Sequence, residues 1–275
     1  AWLEDLQAIL DGTVRDAGAE TPRAIRIGLA REIAASQKFV HWAVDFAEVH
    51  GEGGFDVVVG NPPWIKLQWN EGGILSDLDP RLVIRRLSAK AMADERRVTL
   101  EEDAALTAYL GEFEELEGQK AFLNGVGNYA LLKGVQTNLY KNFVCTAWDL
   151  LSGRGTSGLI HPGGLFDDPR GGRLRTELYQ KLRWHFQFTN YLTLFEGVLH
   201  KLNYSLAIYG PKAGTSFLHF SNLFHPRTIE DSIEHDGHGT VPAIKDADGN
   251  WDLRGHKSRI VPVDQATLTL FSKLY

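Results

Sequence analysis

The chain has 275 residues, 43% of them hydrophobic, which suits one large or two small domains with a genuine core. Its single cysteine, Cys145, excludes an internal disulfide and a cysteine-built zinc site. A net charge of −6 excludes a general attraction to polyanions, so any contact with nucleic acid must come from local basic patches.

Two such patches are present: Arg81, Arg85, Arg86 and Lys90, then Arg170, Arg173, Arg175, Lys181 and Arg183. Each also reads as a solvated helix face. No run approaches the roughly 18 consecutive apolar residues of a membrane helix, and no membrane partner is expected. No basic-then-apolar leader opens the sequence, and a cytoplasmic location is the expectation. The opening Ala1-Trp2-Leu3-Glu4-Asp5-Leu6 is already amphipathic, and Leu270 to Tyr275 carries no helix stop signal. Both ends therefore read as cut from a longer chain.

In chain order, residues 1 to about 50 read as helices separated by Gly18 to Pro22, with Ile25, Ile27, Leu29 and Ile33 loosely sharing one face. Gly51 to Gly54 breaks that pattern. Phe55-Asp56-Val57-Val58-Val59 follows, bounded by Gly60 and two prolines, as expected of a strand buried on both faces of a parallel sheet. Residues from about 70 to 127 are charged and read as a helical insertion. Thr137 to Leu151 predicts a helix with Leu139, Phe143, Ala147 and Leu150 on one face and Thr137 or Asn138 as cap. Gly158 to Pro162 predicts the next buried strand, and Arg173 to Leu182 another helix. Phe186 to Phe195 and Leu202 to Tyr209 alternate as strands joined by a turn containing Gly197. Strands and helices in this order imply an open α/β sheet. Beyond Gly210 periodicity fades, and residues 211–275 read as a linker or the start of a second, target-recognition domain.

The informative string is Phe55 to Trp64, FDVVVGNPPW: a strand delivering Asn61-Pro62-Pro63-Trp64 at its carboxyl end, where open α/β sheets place their sites. Two prolines fix two φ angles and remove two N–H donors, so the turn offers carbonyl oxygens rigidly. Asn61 adds a side-chain acceptor and Trp64 a flat surface. These answer one chemical problem. The amino group of adenine is a poor nucleophile because its lone pair is delocalised into the ring. Two acceptors aimed at its hydrogens favour a pyramidal nitrogen and stabilise the charge that develops on it. An aromatic face holds the base once it has left the duplex.

These residues resemble the (N/D/S)PP(Y/F/W) motif of amino-methyltransferases that use S-adenosylmethionine. The surrounding text resembles the Eco57I-like adenine-specific enzymes of restriction-modification and phage defence. Phe39 to Trp42, Phe46 to Val49 and Gly53 to Asp56 match that group's lead-in to the motif. Asn138 to Tyr140, Ser157 to Pro162 and the hairpin from Phe186 to Tyr209 extend the likeness over residues 1–210. The resemblance implies a Rossmann-like methyltransferase sheet, present as its C-terminal portion, with the insertion at about 70–127 and the start of a second domain. It implies methyl transfer from S-adenosylmethionine to adenine N6 of double-stranded DNA, with nuclease or other restriction or defence subunits, or fused domains, as partners. Residue by residue, it implies that Asn61 and the Pro62 carbonyl accept from the target amino group and that Trp64 stacks on the base. It further implies that Asp45 and Phe46 lie against the cofactor's adenine. The loop from Phe195 to Lys201 would pack the target base from its other side. One departure stands out: the family's Gly-rich cofactor turn, and the acid that holds the ribose, are not found ahead of Asn61. This chain alone is therefore expected to be inactive.

Other motifs are weaker. His225, His235, His238 and His256 with Asp231 suggest metal ligands, but without a cysteine or a clean i, i+4 pair polar loops explain them better, and no metal is expected. Asp167-Asp168 suggests a nuclease pair, yet lacks an E-x-K partner. Two further readings remain open: the same site acting on RNA or a protein glutamine, and a DNA-binding or target-recognition fragment without activity of its own.

Overall fold

The computed structural model describes residues 22–85 and 87–274. The chain divides after Glu52 into two units. The helix expected ahead of Gly18, with Trp2 to Leu6, lies outside the described residues. In the first unit α1 spans Pro22–Gln37, α2 Trp42–Asp45 and α3 Ala47–Gly51. Ile25, Leu29 and Ile33 form an exposed stripe along α1.

The second unit is built on six strands: β1 Phe55–Gly60, β2 Leu151–Pro162, β3 Leu182–Thr189, β4 Asn203–Tyr209, β5 Ser216–Leu223 and β6 Val261–Asp264. Their order is β1-β2-β4-β3-β5-β6. β1 and β2 are parallel, as are β3 and β5, while β4 and β6 run against their neighbours. β1, β2, β3 and β5 therefore share one direction, and their carboxyl ends line one edge of the sheet. The α/β class expected from the sequence is the one observed. Two strands beyond Gly210 join this same sheet.

The register of β1 on β2 pairs Val58 with Ser157 and Gly60 with Leu159. Glycine permits the entry to this pair. Gly54 has φ +110, and a Cβ there would stand 2.7 Å from the Leu150 carbonyl oxygen. The expectation that β1 is buried on both faces fails. Val58 points into the core, whereas Val57 and Val59 are 63% and 79% exposed on the opposite face. The physical reason is cover: among the described residues helices pack on the Val58 face of β1, and the face of Val57 and Val59 is left open.

The insertion is helical as expected: α4 Glu71–Leu78, α5 Arg81–Arg85, α6 Ala89–Thr99 and α7 Asp103–Leu123. Asn70 caps α4 by accepting from the Gly73 amide at 3.1 Å. Trp69 meets Tyr109 and Phe113 of α7 edge-on, with centroids 5.1 and 5.4 Å apart. Glu71 accepts from Arg96 at 2.7 Å and from the Tyr109 hydroxyl at 2.8 Å, and the Arg96 hydrogen bond, followed by that of Tyr109, holds its pKa below the ordinary value.

The remaining helices are α8 Leu139–Leu150, α9 Gly164–Asp167, α10 Gly172–Lys181, α11 Arg227–Glu234 and α12 Gln265–Leu274. The face of α8 matches the expected one in part: Ala147 and Leu150 are buried as expected, and Phe143 is not. Tyr140, Val144, Ala147 and Trp148 are buried, and Phe143 is 48% exposed. Asn138 is the N-cap by position, but its side chain makes no capping bond. One core joins α8, α9 and α10 to the sheet through Leu159, Leu165, Leu174, Leu178, Ala207 and Tyr209. A second, aromatic core is formed by Phe186, Phe188, Tyr204, Phe220 and Leu223.

Between helices and sheet lies a layer of buried histidines. His161 of β2 stacks on Tyr140 and Phe166, and its Nδ1 and Nε2 lie 2.9 Å from the Pro162 carbonyl oxygen and 3.0 Å from the Tyr209 hydroxyl. His185 of β3 stacks on Phe166 at 3.9 Å and on His219 of β5 at 4.8 Å. Burial pushes the His161 pKa down to about 4, and also lowers His185 and His219.

Candidate active site

The parallel strands explain why distant residues meet. β1 ends at Gly60 and releases Asn61 to Trp64 at the carboxyl edge of the sheet. β3 runs in the same direction and ends at Thr189, so the loop before β4 leaves from that same edge. Pro62 is buried, while Asn61 and Pro63 are exposed. Beyond the turn the Ile65 carbonyl accepts from the Leu139 amide at 3.0 Å, and Lys66 bridges to Asn138. The turn is thus pinned between β1 and the start of α8.

Trp64 is half-buried and packs against both cores. Its indole N–H donates to the Ile160 carbonyl of β2 at 3.4 Å. Its ring lies 5.5 Å from Phe195 and 6.1 Å from Tyr204, both tilted. Phe195 meets Tyr204 edge-on at 5.0 Å. The structure therefore sets Trp64, at the end of the turn that carries Asn61 and Pro62, against Phe195, which lies 131 positions further along the sequence. At 5.5 Å the Trp64 and Phe195 rings are in contact. Lys201 is exposed on the same loop.

The hairpin differs from expectation in one respect. The strand expected to reach Phe195 stops at Thr189, a 3-10 turn spans Asn190–Leu192, and Phe195 lies in the loop. Asn190 is fully buried there and bonds to Phe195 and Val198. The sequence reading missed this residue and Tyr204. The alternation of the strand was a signal for Tyr204, but the bonds of Asn190 go to main-chain atoms that leave no side-chain pattern.

Asp45 and Phe46 belong to the first unit. The Asp45 carboxylate accepts from the His41 amide at 2.8 Å, reaching back across the start of α2, and Phe46 stacks on Trp42 at 5.3 Å. Both are exposed.

The weaker motifs have local uses. The Asp168 carboxylate meets the Lys141 ammonium at 2.5 Å and accepts from the Arg170 amide at 3.0 Å. Burial alone would raise its pKa, but these hydrogen bonds and the Lys141 and Arg175 charges outweigh it and hold it low. His225, His235 and His256 each accept from the amide two residues on. Asp231 faces Arg227 at 3.7 Å. In the second basic patch, Arg175 bonds to the Asp168 carbonyl, Lys181 faces Glu177, and Arg183 donates to carbonyls of Gln180, Lys181, Leu182 and Pro211. In the first patch, Arg81 pairs with Asp79 at 2.7 Å, and Arg86 lies outside the described residues.

No curated protein is significantly similar in sequence. Among solved structures, the chain is similar to a type I restriction-modification methyltransferase subunit from Streptococcus thermophilus. The identity is 12% and the TM-score 0.37, over 80% of this chain and 36% of that one. It is also similar to a modification subunit assigned to a type I restriction enzyme from Vibrio vulnificus YJ016, at 12% identity and TM-score 0.33, over 64% of this chain and 27% of that one. A third, the DrdV–DNA complex, gives 12% identity and TM-score 0.36, over 64% of this chain and 15% of that one. The chain spans between 10% and 36% of the length of these and the related structures it matches. The family match falls on the segment that carries the turn: residues 6–81 match the family described as the Eco57I restriction-modification methylase.

Proposed function

We propose that this chain supplies the target-base side of a site-specific DNA methyltransferase that modifies adenine N6, with S-adenosylmethionine as methyl donor and double-stranded DNA as substrate. The observation that carries this reading is the meeting of the Asn61–Trp64 turn with Phe195 at the carboxyl edge of the sheet. The family match of residues 6–81 supports the methylase class. Asn61 and the Pro62 carbonyl are the acceptors of the amino group, and they raise its nucleophilicity by drawing its hydrogens out of the ring plane. Trp64 and Phe195 are the two apolar walls for the extruded base. Lys201, exposed on the Phe195 loop, belongs to the segment that packs the base from its other side. Restriction or defence subunits, or fused nuclease domains, complete the assembly.

The described residues do not fit the whole of the methyl donor. Ahead of Asn61 the first strand among them is β1 itself, and no Gly-rich turn follows a strand there. The Asp45 carboxylate is already engaged with the His41 amide, and Phe46 with Trp42. Asp45 and Phe46 are at most the edge of a cofactor pocket. The 275-residue chain alone is expected to bind no S-adenosylmethionine in calorimetry at sub-millimolar cofactor, and to methylate no DNA. Tight binding would show that this chain holds a complete pocket.

The reading is tested by expressing the complete natural protein in a host that lacks DNA methylation and digesting its DNA to nucleosides. N6-methyladenine in that DNA is the expected result. Methylated RNA or methylated glutamine with unmodified DNA would move the site to another substrate, and no methylation of any kind would leave a binding module.

A further inference from the structure

We propose that Asn190 is a positioning residue of the target-base site, whose buried carboxamide sets the main chain of Phe195 opposite Trp64. This rests on the functional reading above. Asn190 sits at the carboxyl end of β3 with no exposed surface. Its Nδ2 donates to the carbonyl oxygens of Phe195 at 3.0 Å and Val198 at 3.3 Å. Its Oδ1 accepts from the Phe195 amide at 3.1 Å. One side chain thus holds both polar groups of the Phe195 backbone, as a neighbouring strand would, where no strand is present.

The chemistry demands a carboxamide. Donor and acceptor are needed together within one short, planar group. Aspartate would set a carboxylate against two carbonyl oxygens, and leucine would leave three polar groups without their partner. The loop's other ties lie away from Phe195: the Leu202 amide donates to the Leu199 carbonyl at 2.9 Å, and His200 meets Tyr191 edge-on at 5.0 Å. Leu194 and Leu199 are exposed, and Thr193 takes a left-handed conformation at φ 50 so that the chain can turn. The apolar anchorage of Phe195 is its own contact with Trp64 and Tyr204. That contact must open to admit a base. With its backbone tied, Phe195 can yield by rotating its ring and close again on the base. Without the tie, the loop carries the ring away.

The role differs from plain stabilisation because it acts through Phe195, and a double-mutant cycle separates the two. The complete natural protein is used, with duplexes bearing the site mapped from its own methylated DNA, either paired or mispaired at the target adenine. Asn190→Ala is expected to lower kcat on the paired duplex by about tenfold or more, the scale of one lost base–aromatic stack. The loss should be smaller on the mispaired duplex, where extrusion costs less. In the Phe195→Ala background, Asn190→Ala should add little further loss. Asn190→Asp, which keeps the size and the acceptor but sets a carboxylate against the Phe195 and Val198 carbonyl oxygens, should lose at least as much per folded molecule as Asn190→Ala. Rates are normalised to the folded fraction from thermal unfolding. Additive losses, equal losses on the two duplexes, or full activity per folded Asn190→Ala molecule would each overturn the assignment while leaving the functional reading intact. A wild type that methylates no adenine would remove both.

Discussion

Acidification should destabilise this fold between neutral pH and about pH 4, with His161 setting the scale of the effect. Burial lowers its pKa from the ordinary 6.5 to about 4, and the unfolded chain restores the ordinary value. Between those two values the unfolded state binds a proton that the folded state refuses. Stability is therefore full above about pH 6.5 and declines as the pH falls towards 4. The gap from 6.5 to about 4, at about 1.36 kcal/mol per pH unit, amounts to roughly 3 kcal/mol from this one ring. His185 and His219 shift in the same direction through burial and add to the loss. Domains of this kind are stable by about 5–15 kcal/mol, so the change is a large share of the total. Asp168 acts in a different window: its lowered pKa gives stability that is present above the ordinary carboxylate value and is lost only as the pH falls through the folded one. The assay is urea unfolding of the chain, followed by tryptophan fluorescence, from about pH 7.5 to about pH 4.5. His161→Gln should flatten the dependence by most of the His161 share. A wild-type stability that does not change across this range, or an unchanged slope in His161→Gln, would refute the account of the histidine layer.

Trp64→Ala in the complete protein should cut turnover on a paired duplex by about tenfold or more per folded molecule, and by less on a mispaired one. Trp64→Phe should keep most of the activity on both, and full activity of Trp64→Ala would show the ring to be core filling. Gly54→Ala should destabilise the chain by about 3 kcal/mol, because the new Cβ meets the Leu150 carbonyl oxygen at 2.7 Å and the backbone has φ +110. Gly118→Ala, in α7 with nothing within 4 Å of the added Cβ, should instead stabilise by about 0.5–1 kcal/mol. Urea midpoints of the two variants test this, and equal shifts would contradict it.

Much of the site was legible because its signals are local. A β-branched run ending in Asn61-Pro62-Pro63-Trp64 states in ten residues that a strand delivers a rigid, acceptor-rich turn. The helices between residues 71 and 123 were readable from the charged character of that segment. What failed was tertiary. The valines of β1 look the same whether or not another element covers them, so the exposure of Val57 and Val59 had no signature. On α8 two apolar stripes compete, one through Phe143 and one through Tyr140 and Val144, and packing on the sheet decides for the second. β5 and β6 were hidden in a histidine- and glycine-bearing segment: polar Ser216, His219, Ser221 and Asn222 interrupt the eight residues of β5, and β6 alternates over four residues only. Asn190 could not be found from sequence spacing, since its partners are main-chain atoms five and eight residues away.

The central claim is that Asn61 acts on the amino group in the transition state. The most direct measurement is the kcat and DNA affinity of Asn61→Ala in the complete natural protein, with a duplex carrying its own modified site. Asn61 is exposed at the end of β1 and its side chain fills no core, so folding should be unaffected. The account predicts a fall in kcat of about 100-fold or more with nearly unchanged DNA affinity, as for the loss of a preorganised acceptor. Parallel losses of affinity and rate, or an unchanged rate, would contradict it.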